Sequence, residues 1–101
     1  MTKVALVDDH QLFRKSLSLL LDSFDGVSVV YDTHDGLAFL KYLEDYEIDV
    51  LLLDLEMPLV HGFDVCKQAK RIDPSLKVII LSQLTSKEAV HKVMEIGANG
   101  Y

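Results

Sequence analysis

Val50-Leu51-Leu52-Leu53-Asp54 sets four apolar residues in a row, without polar alternation, directly before a carboxylate. A strand with one solvated face alternates apolar and polar side chains. An unbroken run predicts a strand covered on both faces, as parallel-sheet strands are. Working outward, the run extends back to residue 48, and three more short runs rich in β-branched residues occupy 4–7, 27–31 and 78–81. Between them the apolar period becomes helical. Residues 11–24 place Phe13, Leu17, Leu20, Leu21 and Phe24 on one face, and 36–44 offer Phe39, Leu40 and Leu43. Residues 62–72 offer Phe63, Cys66, Ala69 and Ile72, and 85–96 offer Ala89, Val90, Val93, Met94 and Ile96. Thr85-Ser86-Lys87-Glu88 reads as a capping box, with Gly97 and Asp73-Pro74 as stops.

The predicted order is β-α-β-α-β-α-β-α, followed by Gly100-Tyr101. Strands alternating with helices imply right-handed crossovers and an α/β doubly wound parallel sheet with helices on both sides. A helix ending near Gly97 needs a strand to return to, so the chain is expected to be truncated at the start of a fifth strand.

Composition narrows the function classes. The 101 residues suit one domain, and 50% hydrophobic content supports a core rather than disorder. Sixteen Asp and Glu against ten Lys and Arg give a net charge of −6, which argues against direct nucleic-acid binding and suits capture of a divalent cation. One cysteine excludes an internal disulfide framework. No apolar run approaches the ~20 residues that span a bilayer, and the N-terminus lacks the form of a signal peptide. A cytoplasmic domain is the expectation.

The chemistry lies in three carboxylates. Asp8 and Asp9 follow the first strand directly, and Asp54 ends the third. In doubly wound sheets, ligands bind outside the carboxyl ends of strands, where the strand order reverses. If the first and third strands are neighbours, these carboxylates converge. Two carboxylates ~4 Å apart repel by roughly 4 kcal/mol at an effective dielectric of about 20. A divalent cation turns that repulsion into binding, and hard carboxylate oxygens suit Mg²⁺. The competing reading is that Asp8 and Asp9 merely begin the first helix and favour its dipole. Residues alone therefore point to a metal-dependent phosphate site, without a stated reaction.

Val7-Asp8-Asp9-His10, Asp54-Leu55-Glu56-Met57-Pro58 followed by Gly62, Ile80-Leu81-Ser82 and Gly97-Ala98-Asn99-Gly100-Tyr101 together resemble the receiver domain of two-component response regulators over residues 3–101. Asp9-His10-Gln11-Leu12-Phe13-Arg14 resembles the NarL/LuxR-type subfamily, whose members usually carry a C-terminal helix-turn-helix DNA-binding domain. The resemblance implies a flavodoxin-like strand order 2-1-3-4-5. It implies that Asp54 accepts a phosphoryl group from a sensor histidine kinase or a small phosphodonor. Asp9 and Asp54 would hold Mg²⁺ directly with the backbone carbonyl of Glu56, and Asp8 through water. Ser82 would hydrogen-bond the phosphoryl group, and Tyr101 matches the aromatic switch residue. The implied protein is a cytoplasmic transcriptional switch that self-associates on phosphorylation. It would bind DNA only through a domain outside these residues, contact no membrane, and catalyse only its own phosphorylation and dephosphorylation.

The family's Lys, expected three residues after Tyr101, is absent together with the last strand and helix, and Gln83 replaces a small residue beside the phosphoryl pocket. A non-catalytic pseudo-receiver is the alternative; the absent Lys favours it, and intact Asp8, Asp9, Asp54 and Ser82 oppose it. A phosphatase of the haloacid-dehalogenase type wants a second Asp two residues after the nucleophile, where Glu56 stands. A flavodoxin-type cofactor domain lacks its hydroxyl-rich phosphate cradle. Cys66 reads as a small core hydrophobe. His10, His34, His61 and His91 show no zinc-ligand spacing; His10 lies near the acidic pocket, where contact with the phosphoryl region is the alternative to its reading as a partly exposed subfamily marker.

Overall fold

The computed structural model describes residues 1–54 and 62–81. The described elements are β1 (Thr2–Val7), α1 (Gln11–Asp22), β2 (Val27–Thr33), α2 (Gly36–Asp45), β3 (Val50–Asp54), α3 (Gly62–Ile72) and β4 (Lys77–Leu81). The predicted helix at 85–96 and the start of a fifth strand lie outside the described residues.

All described strand pairs are parallel, in the order β2-β1-β3-β4. This is the α/β order expected for the first four strands. β1 sits between β2 and β3, so the chain reverses direction across the sheet at β1, and the two flanking strands carry neighbouring loops to the same end.

One face of the sheet forms the core. Ala5, Val7, Leu51, Leu53, Val78 and Ile80 pack against Phe39 and Leu43 of α2 and Val65, Cys66 and Ala69 of α3, all buried. At the edge of this layer Tyr31 stacks on Tyr42 with ring centroids 4.0 Å apart, and Tyr42 on Tyr46 at 4.6 Å. α1 contributes nothing to that cluster and lies against β1 and β2. Val4 and Leu6 alternate with the core-facing residues of β1 and point to the opposite side, where they are also buried.

The helix ends follow local chemistry. Asp35 caps α2 by accepting the Leu37 amide at 3.0 Å. α3 stops at Ile72, and Asp73 then accepts from the Ser75 amide at 3.0 Å in a local turn that Pro74 permits. Among the described residues no helix is long and apolar enough to cross a membrane.

One sequence expectation needs correction. The β3 run is fully covered on one face only, because Leu51 and Leu53 are buried while Val50 and Leu52 are half-buried. The α1 stripe is likewise incompletely buried: Leu17 and Leu21 are half-buried, whereas Phe13, Leu20 and Phe24 are exposed. Apolar periodicity identifies a face that favours burial, but not how fully neighbouring elements cover it.

Candidate metal centre

The carboxylates are brought together by strand register. β1 and β3 pair with Val7 opposite Leu53, so the next residue of each strand, Asp8 and Asp54, emerges at the same carboxyl end of the sheet. Both are buried, 5% and 6% exposed. The backbone amide of Asp8 donates to the Thr33 carbonyl at 3.1 Å, which ties the β1 end to β2 as well. Asp8 and Asp9 precede the helix rather than belonging to it: the N-cap of α1 is His10, and no acidic residue lies in its first turn. The dipole reading of the two aspartates therefore loses its footing.

His10 closes over the carboxylates. Its backbone amide donates to Asp8 Oδ1 at 2.8 Å. Its ring Nδ1 stands 3.1 Å from Asp8 Oδ1, 3.1 Å from Asp9 Oδ1 and 3.9 Å from Asp54 Oδ2. The hydrogen bond to Asp8 raises the His10 pKa above its ordinary value, and the charges of Asp9, Asp8 and, less strongly, Asp54 add to it; desolvation opposes them.

One ligand atom from each of Asp8, Asp9, His10 and Asp54 can be chosen so that all lie within 4.8 Å of one another. Within this group Asp9 Oδ1 is buried and, among the described residues, accepts no hydrogen bond, with the His10 imidazole Nδ1 3.1 Å away. A buried carboxylate oxygen without a donor is costly, and a cation at the centre of the cluster would satisfy it. Three carboxylates form a hard oxygen donor set of the kind Mg²⁺ takes, so these residues fit that ion.

Sequence reading foresaw Asp8, Asp9 and Asp54, and the structure places all three in one cluster. Glu56, Ser82 and Tyr101 lie outside the described residues, as do Gln83, His61 and His91. His10, expected near the acidic pocket and partly exposed, has a ring nitrogen that faces all three carboxylates; Arg14 is the residue that sequence reasoning did not single out for the site. Arg14, one turn later, donates from Nη1 to the Asp8 backbone carbonyl at 2.6 Å and from Nε to Asp32 Oδ1 at 2.8 Å. The i,i+4 spacing of His10 and Arg14 was the available signal, since it puts both on one side of α1. Cys66 is a buried core residue as expected; burial pushes its thiol pKa up, and Lys70 partly opposes the shift.

Comparison with known proteins agrees with this geometry. Residues 4–101 match the response regulator receiver domain family. The chain is 34% identical to the transcriptional regulatory protein DegU of Brevibacillus brevis over 99 residues, covering 98% of this chain and 42% of that protein. It is 34% identical to the response regulator UvrY of Escherichia coli K12 over 101 residues, covering 100% of this chain and 46% of UvrY. The chain thus spans less than half the length of these two curated relatives. The signal receiver domain of NarL from Mycobacterium tuberculosis superposes with a TM-score of 0.89 at 30% identity, covering 98% of this chain and 80% of that one. The chain belongs to the response regulator receiver domain family, with relatives of the NarL/LuxR type.

Proposed function

We propose that this domain is a phosphorylation switch in which Asp54 accepts a phosphoryl group from a sensor histidine kinase. The observation that carries the reading is the buried Asp54 carboxylate at the end of β3, with ligand atoms of Asp8 and Asp9 within 4.8 Å. An Asp54 oxygen attacks phosphorus, and an O–P bond forms as the P–N bond of the donor phosphohistidine breaks. The electron pair of the broken bond stays on the imidazole nitrogen, which takes up a proton. Water attack on the acyl phosphate later returns the Asp54 carboxylate and inorganic phosphate.

The chain's contribution is positioning and charge arrangement rather than covalent assistance. Asp9 and Asp54 would hold Mg²⁺, with the Glu56 backbone carbonyl and Asp8 assisting, as the family resemblance implies. When bound, the cation neutralises charge on the phosphoryl oxygens. By the family resemblance, Ser82 would contact the phosphoryl group and Tyr101 would be the switch residue that reads its state.

The domain catalyses only its own phosphorylation and dephosphorylation. In the parent protein it controls a transcriptional output domain that binds DNA, phosphorylation promotes self-association, and the setting is cytoplasmic. Names such as transcriptional regulatory protein and response regulator among the relatives support this output. Intact-mass spectrometry after incubation with Mg²⁺ and acetyl phosphate tests the acceptor. A single phosphoryl gain is expected, dependent on Mg²⁺ and lost in Asp54→Asn. Labelling that persists in Asp54→Asn overturns the assignment, and no gain in the full-length wild type overturns the switch.

A further inference from the structure

We propose that Arg14 is a positioning residue that aims the Asp9 carboxylate into the metal centre, an inference that rests on the cation-site reading above. The Arg14 side chain is 12% exposed and bridges two elements, reaching the Asp8 backbone carbonyl at 2.6 Å and Asp32 Oδ1 on β2 at 2.8 Å. The Asp8 amide is already held by the Thr33 carbonyl at 3.1 Å. Both backbone polar groups of Asp8 are therefore fixed.

The Asp8 carbonyl and the Asp9 amide share one planar peptide unit. Clamping that carbonyl restricts the Asp8 ψ and Asp9 φ rotations, which decide where the Asp9 side chain points. Among the described residues Asp9 Oδ1 accepts no hydrogen bond, and the polar atom beside it is Nδ1 of His10, 3.1 Å away on a side chain that is 68% exposed. The backbone contributes to its aim, and among the described residues Arg14 is a side chain that holds that backbone, at the Asp8 carbonyl. The guanidinium fork makes both contacts at once, which a lysine ammonium at the end of a flexible stem does not reproduce.

Electrostatics alone predicts the opposite outcome. A cationic side chain beside a cation site weakens binding, so deleting its charge should tighten Mg²⁺ binding. Deleting the clamp should loosen it, and outer-shell partners of metal ligands typically contribute about 10–100-fold in affinity. The sign of the change separates the two accounts.

The test is Mg²⁺ titration by calorimetry on folded protein well below its melting temperature, with Mn²⁺ binding followed by electron paramagnetic resonance. Arg14→Gln and Arg14→Lys are each expected to weaken Mg²⁺ binding by roughly tenfold. Asp32→Ala, at a side chain that is 46% exposed, is expected to weaken it less. Arg14→Gln binding as tightly as wild type, or tighter, overturns the positioning role. So does full retention of affinity in Arg14→Lys, or lowered melting temperatures with Mg²⁺ affinity unchanged across the set. If an Arg14 variant fails to fold, Asp32→Ala decides, and unchanged affinity there overturns the clamp. Wild-type protein that binds no Mg²⁺ overturns the underlying cation-site reading, a result distinct from a wild type that binds and variants that match it.

Discussion

Replacing Asp9 with asparagine should make the metal-free protein more stable while removing its response to Mg²⁺. Ligand atoms of Asp8, Asp9 and Asp54 lie within 4.8 Å of one another, and among the described residues Asp9 Oδ1 accepts no hydrogen bond that the substitution would break. At that separation each like-charged pair repels by about 3.5 kcal/mol at an effective dielectric of ~20. Asp9 enters two such pairs. Its side chain is 27% exposed, so solvent screens part of this repulsion, and His10 beside it offsets more. A net gain of about 1–2 kcal/mol is expected, which for a domain of this size raises the melting temperature by roughly 5–15 °C. The assay is thermal unfolding by circular dichroism, first in a chelator and then across a Mg²⁺ series. A ligand that binds only the folded state stabilises it by RT ln(1 + [L]/Kd), so the wild-type melting temperature should climb with Mg²⁺. The Asp9→Asn curve should start higher and stay nearly flat. If the variant melts at or below wild type in chelator, the carboxylates are not in net repulsion. If it climbs as steeply as wild type, Asp9 does not hold the cation.

Two further outcomes rest on single contacts. Asp35→Ala removes the carboxylate that caps α2 at the Leu37 amide and should cost about 1 kcal/mol, read as a lower urea midpoint at unchanged slope; an unmoved midpoint means that another group satisfies the amide. In metal-free protein His10 has a raised pKa, caused first by its hydrogen bond to Asp8. Its stabilising contribution is then fully present below its ordinary value and disappears as pH rises through the raised one. Melting temperatures of wild type and His10→Asn should converge toward alkaline pH, and curves that stay parallel would remove the imidazole from the charge balance.

The legible parts of this protein are those in which side-chain type and position along the chain are sufficient. Apolar runs located β1, β2, β3 and β4, and helical periods located α1, α2 and α3, because burial of these faces is what forms the elements. Asp8, Asp9 and Asp54 were legible because a carboxylate at a strand's carboxyl end lies at the ligand-binding edge of such a sheet. Coverage was not legible in the same way. Phe13, Leu20 and Phe24 have the period of a buried stripe, yet each is exposed, since periodicity reports preference and not the neighbour. Arg14 was missed for a related reason. Its partners are the Asp8 carbonyl and Asp32, and contacts of that kind follow from backbone direction rather than residue type.

That direction depends on one irregularity in β2. Val4 pairs with Val29 but Ala5 pairs with Tyr31, so Val30 is an extra residue on the β2 side. Continued without the bulge, the register would set Val7 opposite Asp32, and Asp32 would share the face on which Val7 meets α2 and α3. A one-residue shift exchanges the faces of every residue beyond it. With the bulge, Asp32 lies opposite Leu6 instead, on the side where α1 runs, and Arg14 reaches it from there at 2.8 Å. The same shift puts Tyr31 opposite Ala5, against the core beside Phe39 and Tyr42. Val30 itself stays exposed at 41%. The bulge therefore resolves two demands on adjacent residues of one strand. Tyr31 must enter the apolar layer, and Asp32 must face the opposite helix, where it anchors the arginine that holds the Asp8–Asp9 peptide. A strand in unbroken register with β1 would give each of them the wrong face.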